Sequence, residues 1–379
     1  MSVRHVLVTN DFPPKTGGIQ SYLWELWRRL PPASFSVMTL DHPRAFEFDR
    51  GHRLDVERLA GPMLLPTPGL VRKIRAHARD RGASLVLLDP VFPLGLVGPS
   101  LGVPYGIVAH GAELTVPGRL PVTMRSIARV LAGAELVVTS GQWAADQVAR
   151  VSGHRATNVV SIPPGVDNGR FRPLDAVEKR AARRQLGLPE EGRLIVSVSR
   201  LVPRKGIDVV IEAADALHRQ RRDLAVAIGG EGRLRKRLER LASGSSVPVE
   251  MLGPVHEELL PRLYGAADVF AIPCRRRWGG LEQEGYGIVF LEAAAAGVAA
   301  VAGDSGGASE AVQDGVTGAV VERPGSPVHV AAALAALLDD EQLRSEMGRR
   351  ARARAVECSD HGVLVDRLAR LVGLDGILG

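Results

Sequence analysis

The sequence predicts an α/β protein made of two doubly wound parallel sheets, and three observations carry that reading. At 379 residues the chain is longer than single cores usually grow, so two domains are expected. Short apolar strands alternate with helical runs twice over, the pattern of parallel sheets covered by crossover helices. Between the two alternations lies IPPGVDNGRFRPLD (162–175), rich in Pro and Gly and without a period, which is the natural hinge.

The first alternation runs VRHVLVT (3–9), the helix GIQSYLWELWRRL (18–30), then FSVMTL (35–40), SLVLL (84–88), YGIVA (105–109), ELVVTS (135–140) and NVVSI (158–162). These are runs of β-branched and aliphatic residues bounded by polar or Gly/Pro positions, as buried parallel strands require. The second begins with RLIVSVSR (193–200) and continues through GIDVVIEAADALH, LAVAIGG, RLRKRLERLA, VEMLG, ELLPRLYGAADVFAIP, VAAVAG and TGAVVE (317–322). The tail from Val328 holds three helical runs, AAALAALLDD, EQLRSEMGRRARARA and SDHGVLVDRLARLVG. No strand remains for the last to cover, so it is expected to cross back to the first domain. The expected boundaries are 1–164 joined by about 359–379, and 165–358. Ligands in such sheets sit beyond the carboxyl ends of the strands, which directs attention to strand-end loops and to a cleft faced by both domains.

Composition narrows the class. With 45% hydrophobic and 24% charged residues the chain is an ordinary folded protein. No apolar run reaches the roughly 20 residues of a membrane-spanning helix, and the N-terminal pattern is that of a strand rather than a signal peptide, so a cytoplasmic location is expected. Cys274 and Cys358 have no metal-ligand spacing and read as independent thiols. The net charge of +6 comes from the first half: residues 1–165 hold 18 Lys and Arg against 12 Asp and Glu, and the rest 30 against 30. Two runs there, LVRKIRAHARDRG (70–82) and LPVTMRSIARVLAG (120–133), mix basic and apolar residues at helical spacing; in the second, Ile127, Val130 and Leu131 form a stripe apart from Arg125 and Arg129. Such helices lie on anionic membranes, and ordinary amphipathic helices look the same. Aromatics at 4% and no recognised motif make nucleic acid the weaker candidate, and none is expected as partner.

The densest chemistry lies in EGYGIVFLEAAAAG (284–297), where a glycine-containing loop enters an apolar helix between Glu284 and Glu292. A helix start favours phosphate, whereas carboxylates repel it and need another task. On one continuous helix the two would stand roughly 12 Å apart along the axis, beyond the about 5–9.5 Å of a glycosidase pair. Two acceptors at opposite ends of one elongated, hydroxyl-rich, phosphorylated ligand fit better, as a nucleotide sugar would be. Upstream, RLVPRKGID places Arg200 at a strand end and Lys205 five residues on, a fork and a point charge suited to a diphosphate that gains charge as its bond breaks. NDFPPKTGGIQSY has Gly17 and Gly18 before the first helix, and is neither a GxGxxG fingerprint nor a P-loop. His110 and Gly111 end a strand; CRRRWGGLEQ (274–283) and GDSGGASE (303–310) add a basic and a glycine-rich loop, either of which a solvated turn would also explain.

Taken together, SRLVPRKG, EGYGIVFLEAAAAG, the GG loop, HG and DSGGASE resemble the retaining glycosyltransferases of the glycogen-synthase-like clan with the GT-B fold, and NDFPPKTGGIQSY with WGGLEQEGYGIVFLEA is most similar to actinobacterial phosphatidylinositol mannoside mannosyltransferases. The resemblance spans nearly the whole chain. It departs at GVAAVAG (297–303), where Ala299 replaces a proline of the family pattern.

This resemblance implies two Rossmann-like domains and a GDP-mannose co-substrate, with no cofactor and no metal. Glu292 would bind the ribose hydroxyls and Glu284 the transferred sugar. Arg200 and Lys205 would neutralise the diphosphate with amides of Gly18, Gly287 and Ile288. His110 would contact the sugar near its 6-hydroxyl, Val255 would border the base, and Asp11 and Gln20 would meet the acceptor. The implied reaction retains configuration through a same-face substitution in which the departing phosphate helps to deprotonate the incoming hydroxyl. The expected acceptor is an anionic phosphatidylinositol-type glycolipid at the inner face of the plasma membrane, with the enzyme peripheral there. Two other readings keep the fold: another nucleotide sugar with a soluble acceptor, and a catalytically silent membrane-surface protein, which has no physical need for Arg200, Lys205, Glu284 and Glu292 together.

Overall fold

A computed structural model describes residues 4–219 and 222–374. The chain divides into two compact units, one holding the described residues to Gly165 and those from His361 onward, the other Val166–Asp360. The first has seven parallel strands, β1 (His5–Thr9), β2 (Phe35–Leu40), β3 (Val56–Leu59), β4 (Leu85–Asp89), β5 (Tyr105–Ala109), β6 (Leu136–Thr139) and β7 (Val159–Ser161), in the order β3-β2-β1-β4-β5-β6-β7. Its crossovers carry α1 (Gly18–Trp27), α2 (Ala45–His52), α3 (Pro68–Asp80), α4 (Ala112–Thr115), α5 (Pro121–Gly133) and α6 (Gln142–Ser152). Every residue of β1 and β5 is buried, because helices cover both faces of the sheet.

The second unit repeats the plan with β8 (Arg193–Val198), β9 (Leu224–Gly229), β10 (Val249–Gly253), β11 (Val269–Ile272), β12 (Ala300–Gly303) and β13 (Gly318–Val321), ordered β10-β9-β8-β11-β12-β13. The helices are α7 (Ala176–Gln185), α8 (Ile207–His218), α9 (Arg235–Ser243), α10 (Leu260–Ala266), α11 (Ile288–Ala295), α12 (Ala308–Ala311), α13 (Pro327–Asp339) and α14 (Glu341–Cys358). Its start is marked by a capping box: Asp175 accepts from the Val177 and Glu178 amides, while Glu178 accepts from that of Asp175.

The last helix, α15 (His361–Leu371), packs on α1 as expected; Leu364, Val365, Leu368 and Ala369 complete the core formed by Leu7, Leu23, Leu26 and Val108. Strand β3 was not expected. Its sequence VERL is half charged and pairs on one side only, so periodicity alone does not mark it. On α5, Ile127, Val130 and Leu131 are buried in the core, so that stripe is an ordinary packing face. In each sheet the strand order reverses between two neighbours, β1 and β4 in the first unit, β8 and β11 in the second. That switch point is where open α/β sheets hold ligands.

Candidate active site

In the second unit, the loops after β8 and β11 meet at Glu284. After β8 the chain passes Arg200 and makes a 3-10 turn, Pro203–Lys205, before Gly206 starts α8. Gly206 has φ 70°, and a Cβ on it would stand 2.4 Å from the Pro273 carbonyl oxygen, so only glycine lets this loop lie against the end of β11. The close approach sets Lys205 beside the β11 loop. Lys205 and Glu284 are both buried, with Nζ 2.8 Å from Oε2. The same oxygen meets Arg204 Nε at 3.4 Å and accepts from Cys274 Sγ at 3.7 Å. Burial alone would raise the Glu284 carboxyl, but Lys205 and Arg204 outweigh it and hold it below the usual range. Burial, partly offset by Lys205, pushes the Cys274 thiol up to about 12, so it is a neutral donor here.

The glycine loop after β12 backs this group. Gly306 has φ 59°, and a Cβ there would lie 1.9 Å from the Glu284 carbonyl oxygen. Gly307 donates its amide to that oxygen at 3.0 Å, and the Glu284 amide donates to Ser305 Oγ at 3.4 Å. GDSGGASE is thus the support of Glu284 rather than a solvated turn. The basic loop is neutralised in place: Arg275 forks onto Asp208 at 3.0 and 2.9 Å, Arg276 onto Asp304 at 2.9 Å, and Arg277 bonds Glu282 at 2.6 Å.

Arg200 differs from its neighbours. It is exposed, and its guanidinium has no hydrogen-bond or ion-pair partner among the described residues. Glu284 lies in the loop before α11 and Glu292 on α11 itself, so the two are not on one helix. Glu292 stands outside the Glu284 group: half-buried, it accepts from the Tyr264 hydroxyl at 2.5 Å, and burial raises its carboxyl although that bond opposes the rise. Gly287 precedes α11 without a side-chain cap and no acidic residue occupies its first turn, which leaves the amide end at Ile288 open to an anion. Val255, two residues past β10, is half-buried against the core.

The first unit holds a second group. Asp11 lies past β1, where its Oδ1 accepts from Lys15 Nζ at 2.7 Å and from buried Gln20 Nε2 at 2.5 Å. Gly18 opens α1, again with no side-chain cap. His110, past β5, is buried and bonds Asp89 Oδ1 through Nε2 at 2.6 Å. Burial alone would lower its pKa, but the charge and hydrogen bond of Asp89, with the charges of Glu113 and Asp11, together outweigh that and raise it. Sequence reading did not single out Arg204, Asp89 or Tyr264, and it took Cys274 only for an independent thiol. Arg204 adjoins Lys205 and Asp89 ends a strand, so the strand-end rule already pointed to both; nothing local marked Tyr264 as the partner of Glu292.

The second unit matches the profile of glycosyl transferases group 1 over residues 178–354, and the first that of glycosyltransferase family 4 over residues 16–170. A relative from Mycobacterium tuberculosis, named GDP-mannose-dependent alpha-(1-6)-phosphatidylinositol monomannoside mannosyltransferase, is 38% identical over 91% of each chain. One from Corynebacterium glutamicum, named for the monoacylated form of that acceptor, is 35% identical over 98% of each chain. A D-inositol 3-phosphate glycosyltransferase from Geodermatophilus obscurus is 32% identical over 88% of this chain and 80% of its own. Among solved structures, Anabaena HepE in complex with UDP superposes with a TM-score of 0.83 at 20% identity, over 98% of this chain and 100% of its own. Two parallel Rossmann-like sheets, both profiles and relatives above 30% identity over most of their length make this chain a GT-B glycosyltransferase of group 1.

Proposed function

We propose that the chain is a retaining α-mannosyltransferase that moves mannose from GDP-mannose to a phosphatidylinositol-type glycolipid. One observation carries the transfer chemistry: a buried carboxylate, Glu284, held at a sheet's switch point by Lys205 and Arg204, whose loop also carries the unpaired, exposed Arg200. Donor and acceptor rest on the mycobacterial and corynebacterial relatives.

In this reading Glu284 accepts from a hexose hydroxyl, and Lys205 and Arg200 meet the diphosphate as it leaves with the bonding electrons. The open amide end at Gly287 and Ile288 and that at Gly18 add donors to the same charge. Glu292, oriented by Tyr264, takes the ribose hydroxyls; Val255 borders the base. His110 bonds the hexose near its 6-hydroxyl, and Asp11 and Gln20 meet the acceptor. The incoming hydroxyl attacks the face the phosphate leaves and passes its proton to that phosphate, so configuration is retained. Among the described residues no helix is long and apolar enough to cross a membrane. Val116, Leu120 and Val122 are exposed, and with Arg119, Arg125 and Arg129 they give the start of α5 the composition of a membrane-facing edge.

The test is turnover with GDP-mannose, UDP-glucose and UDP-N-acetylglucosamine, each against a phosphatidylinositol monomannoside and against an inositol phosphate, with the product anomer read by NMR. An α-mannoside on the glycolipid is expected. Transfer only to the inositol phosphate would transfer the assignment to the soluble-acceptor reading, and no use of GDP-mannose would end the present one.

A further inference from the structure

His110 is gripped from every side but one. Strand β4 lies between β1 and β5, and its last residue, Asp89, is fully buried. Asp89 is in register with Thr9 of β1, whose Oγ1 donates to Oδ2 at 2.6 Å, while Oδ1 lies 2.6 Å from His110 Nε2. From α1 the Tyr22 ring packs edge-on against the imidazole, centroids 5.5 Å apart, with its hydroxyl bonded to the Ile162 carbonyl oxygen at 2.8 Å. From α4, Glu113 Oε1 accepts the His110 backbone amide at 2.8 Å. Nδ1 alone has no hydrogen-bond partner among the described residues.

We infer that Asp89 is a positioning residue for His110: its carboxylate fixes the imidazole with a proton on Nε2, which makes Nδ1 the nitrogen presented to the bound sugar. This rests on the reading above, in which His110 contacts the hexose. A carboxylate oxygen accepts and cannot donate, so the nitrogen facing it carries the proton. Thr9 occupies the other oxygen and keeps the carboxylate from turning away. The charges facing the ring are Asp89 from β4, Glu113 from α4 and Asp11 from the loop after β1, and together they favour the imidazolium. With that charge Nδ1 donates N–H to a sugar oxygen; without it Nδ1 offers a lone pair instead. Transfer should therefore weaken on the alkaline side as His110 loses its proton.

Two measurements on the full-length protein test this. Nitrogen-15 NMR of the His110 ring in alkaline buffer should show the Nε2–H tautomer; the Nδ1–H tautomer would overturn the inference. Asp89→Asn keeps the shape and removes the charge, so the alkaline limb of kcat/KM should move down by about 1 to 3 pH units. A folded Asp89→Asn protein whose limb stays in place would reduce Asp89 to a structural residue and overturn it as well. If Asp89→Asn does not fold, the wild-type tautomer decides alone. The tautomer needs no substrate, so a protein that uses no GDP-mannose fails the functional reading without touching this result.

Discussion

Arg200 and Lys205 share a loop and a proposed ligand, yet their surroundings separate what each does for the fold from what it does for transfer. Arg200 is exposed and unpaired, so Arg200→Ala removes nothing the folded protein uses. The expected result is an unchanged melting temperature with kcat lower by about 10² to 10³, the usual loss for one donor to a developing anion, about 2.7 to 4 kcal/mol. Lys205 is the inverse case, since Lys205→Ala strands Glu284 with Arg204 at 3.4 Å as its remaining cation. Breaking a buried pair costs about 3 to 5 kcal/mol, an upper bound here because Arg204 stays. Lys205→Ala should therefore lower both kcat and the urea midpoint. Steady-state rates and urea titrations of the two variants decide the matter; full activity in Arg200→Ala would remove it from the diphosphate. The sequence placed Arg200 just past a strand and Lys205 five residues on, before a helix, and the fold agrees because a strand-loop-helix pattern is local. It offered no sign that Lys205 spends the ligand-free state on Glu284, a contact between residues 79 positions apart made by loops of neighbouring strands.

The elements β1, α1 and β2 share a buried histidine that ties the fold to pH. His5 stacks on Phe35, with ring centroids 6.0 Å apart, and accepts from Trp27 Nε1 at 2.9 Å through Nε2. Burial lowers its pKa from 6.5 to about 3, so folding favours the neutral ring. The unfolded chain then binds more protons between those values, and stability rises with pH there. Read in the other direction, the contribution is complete above 6.5 and is lost as pH falls toward about 3. His5→Gln keeps an acceptor for Trp27 and removes the titration, so its unfolding free energy should fall less steeply from pH 6.5 to 4 than that of the wild type; equal slopes in urea titrations would mean His5 does not titrate in this way. Most elements were legible because both sheets are parallel and buried, which writes each strand as an apolar run. β3 was not, since an edge strand needs an apolar residue on only one side, and VERL reads equally well as loop. The Glu284 and Glu292 segment was half legible: its glycines announced a helix start, while the partner Tyr264 lies on a different helix.

At the scale of the whole chain, each unit has its own core: one apolar cluster lies entirely within Val166–Asp360, and two lie within the other unit, α15 included. Separate cores of this size need not unfold together, so two calorimetric transitions are expected rather than one. The proposed donor contacts are concentrated in the second unit, on Arg200, Lys205, Val255, Glu284, Gly287, Ile288 and Glu292. A ligand that binds only the native state adds about 2.7 kcal/mol at a hundredfold excess over its Kd. For a unit of this length each 1 kcal/mol moves the midpoint by about 2 to 4 °C, so GDP should raise one transition by roughly 5 to 11 °C and leave the other nearly in place. Arg200→Ala should shrink that shift without moving the ligand-free transition, since the residue has no partner to lose. UDP run in parallel tests the base, and a larger shift with UDP would point to a uridine donor. A shift confined to the transition of the unit that contains α15 would place the nucleotide on the wrong sheet and overturn the assignment of donor residues.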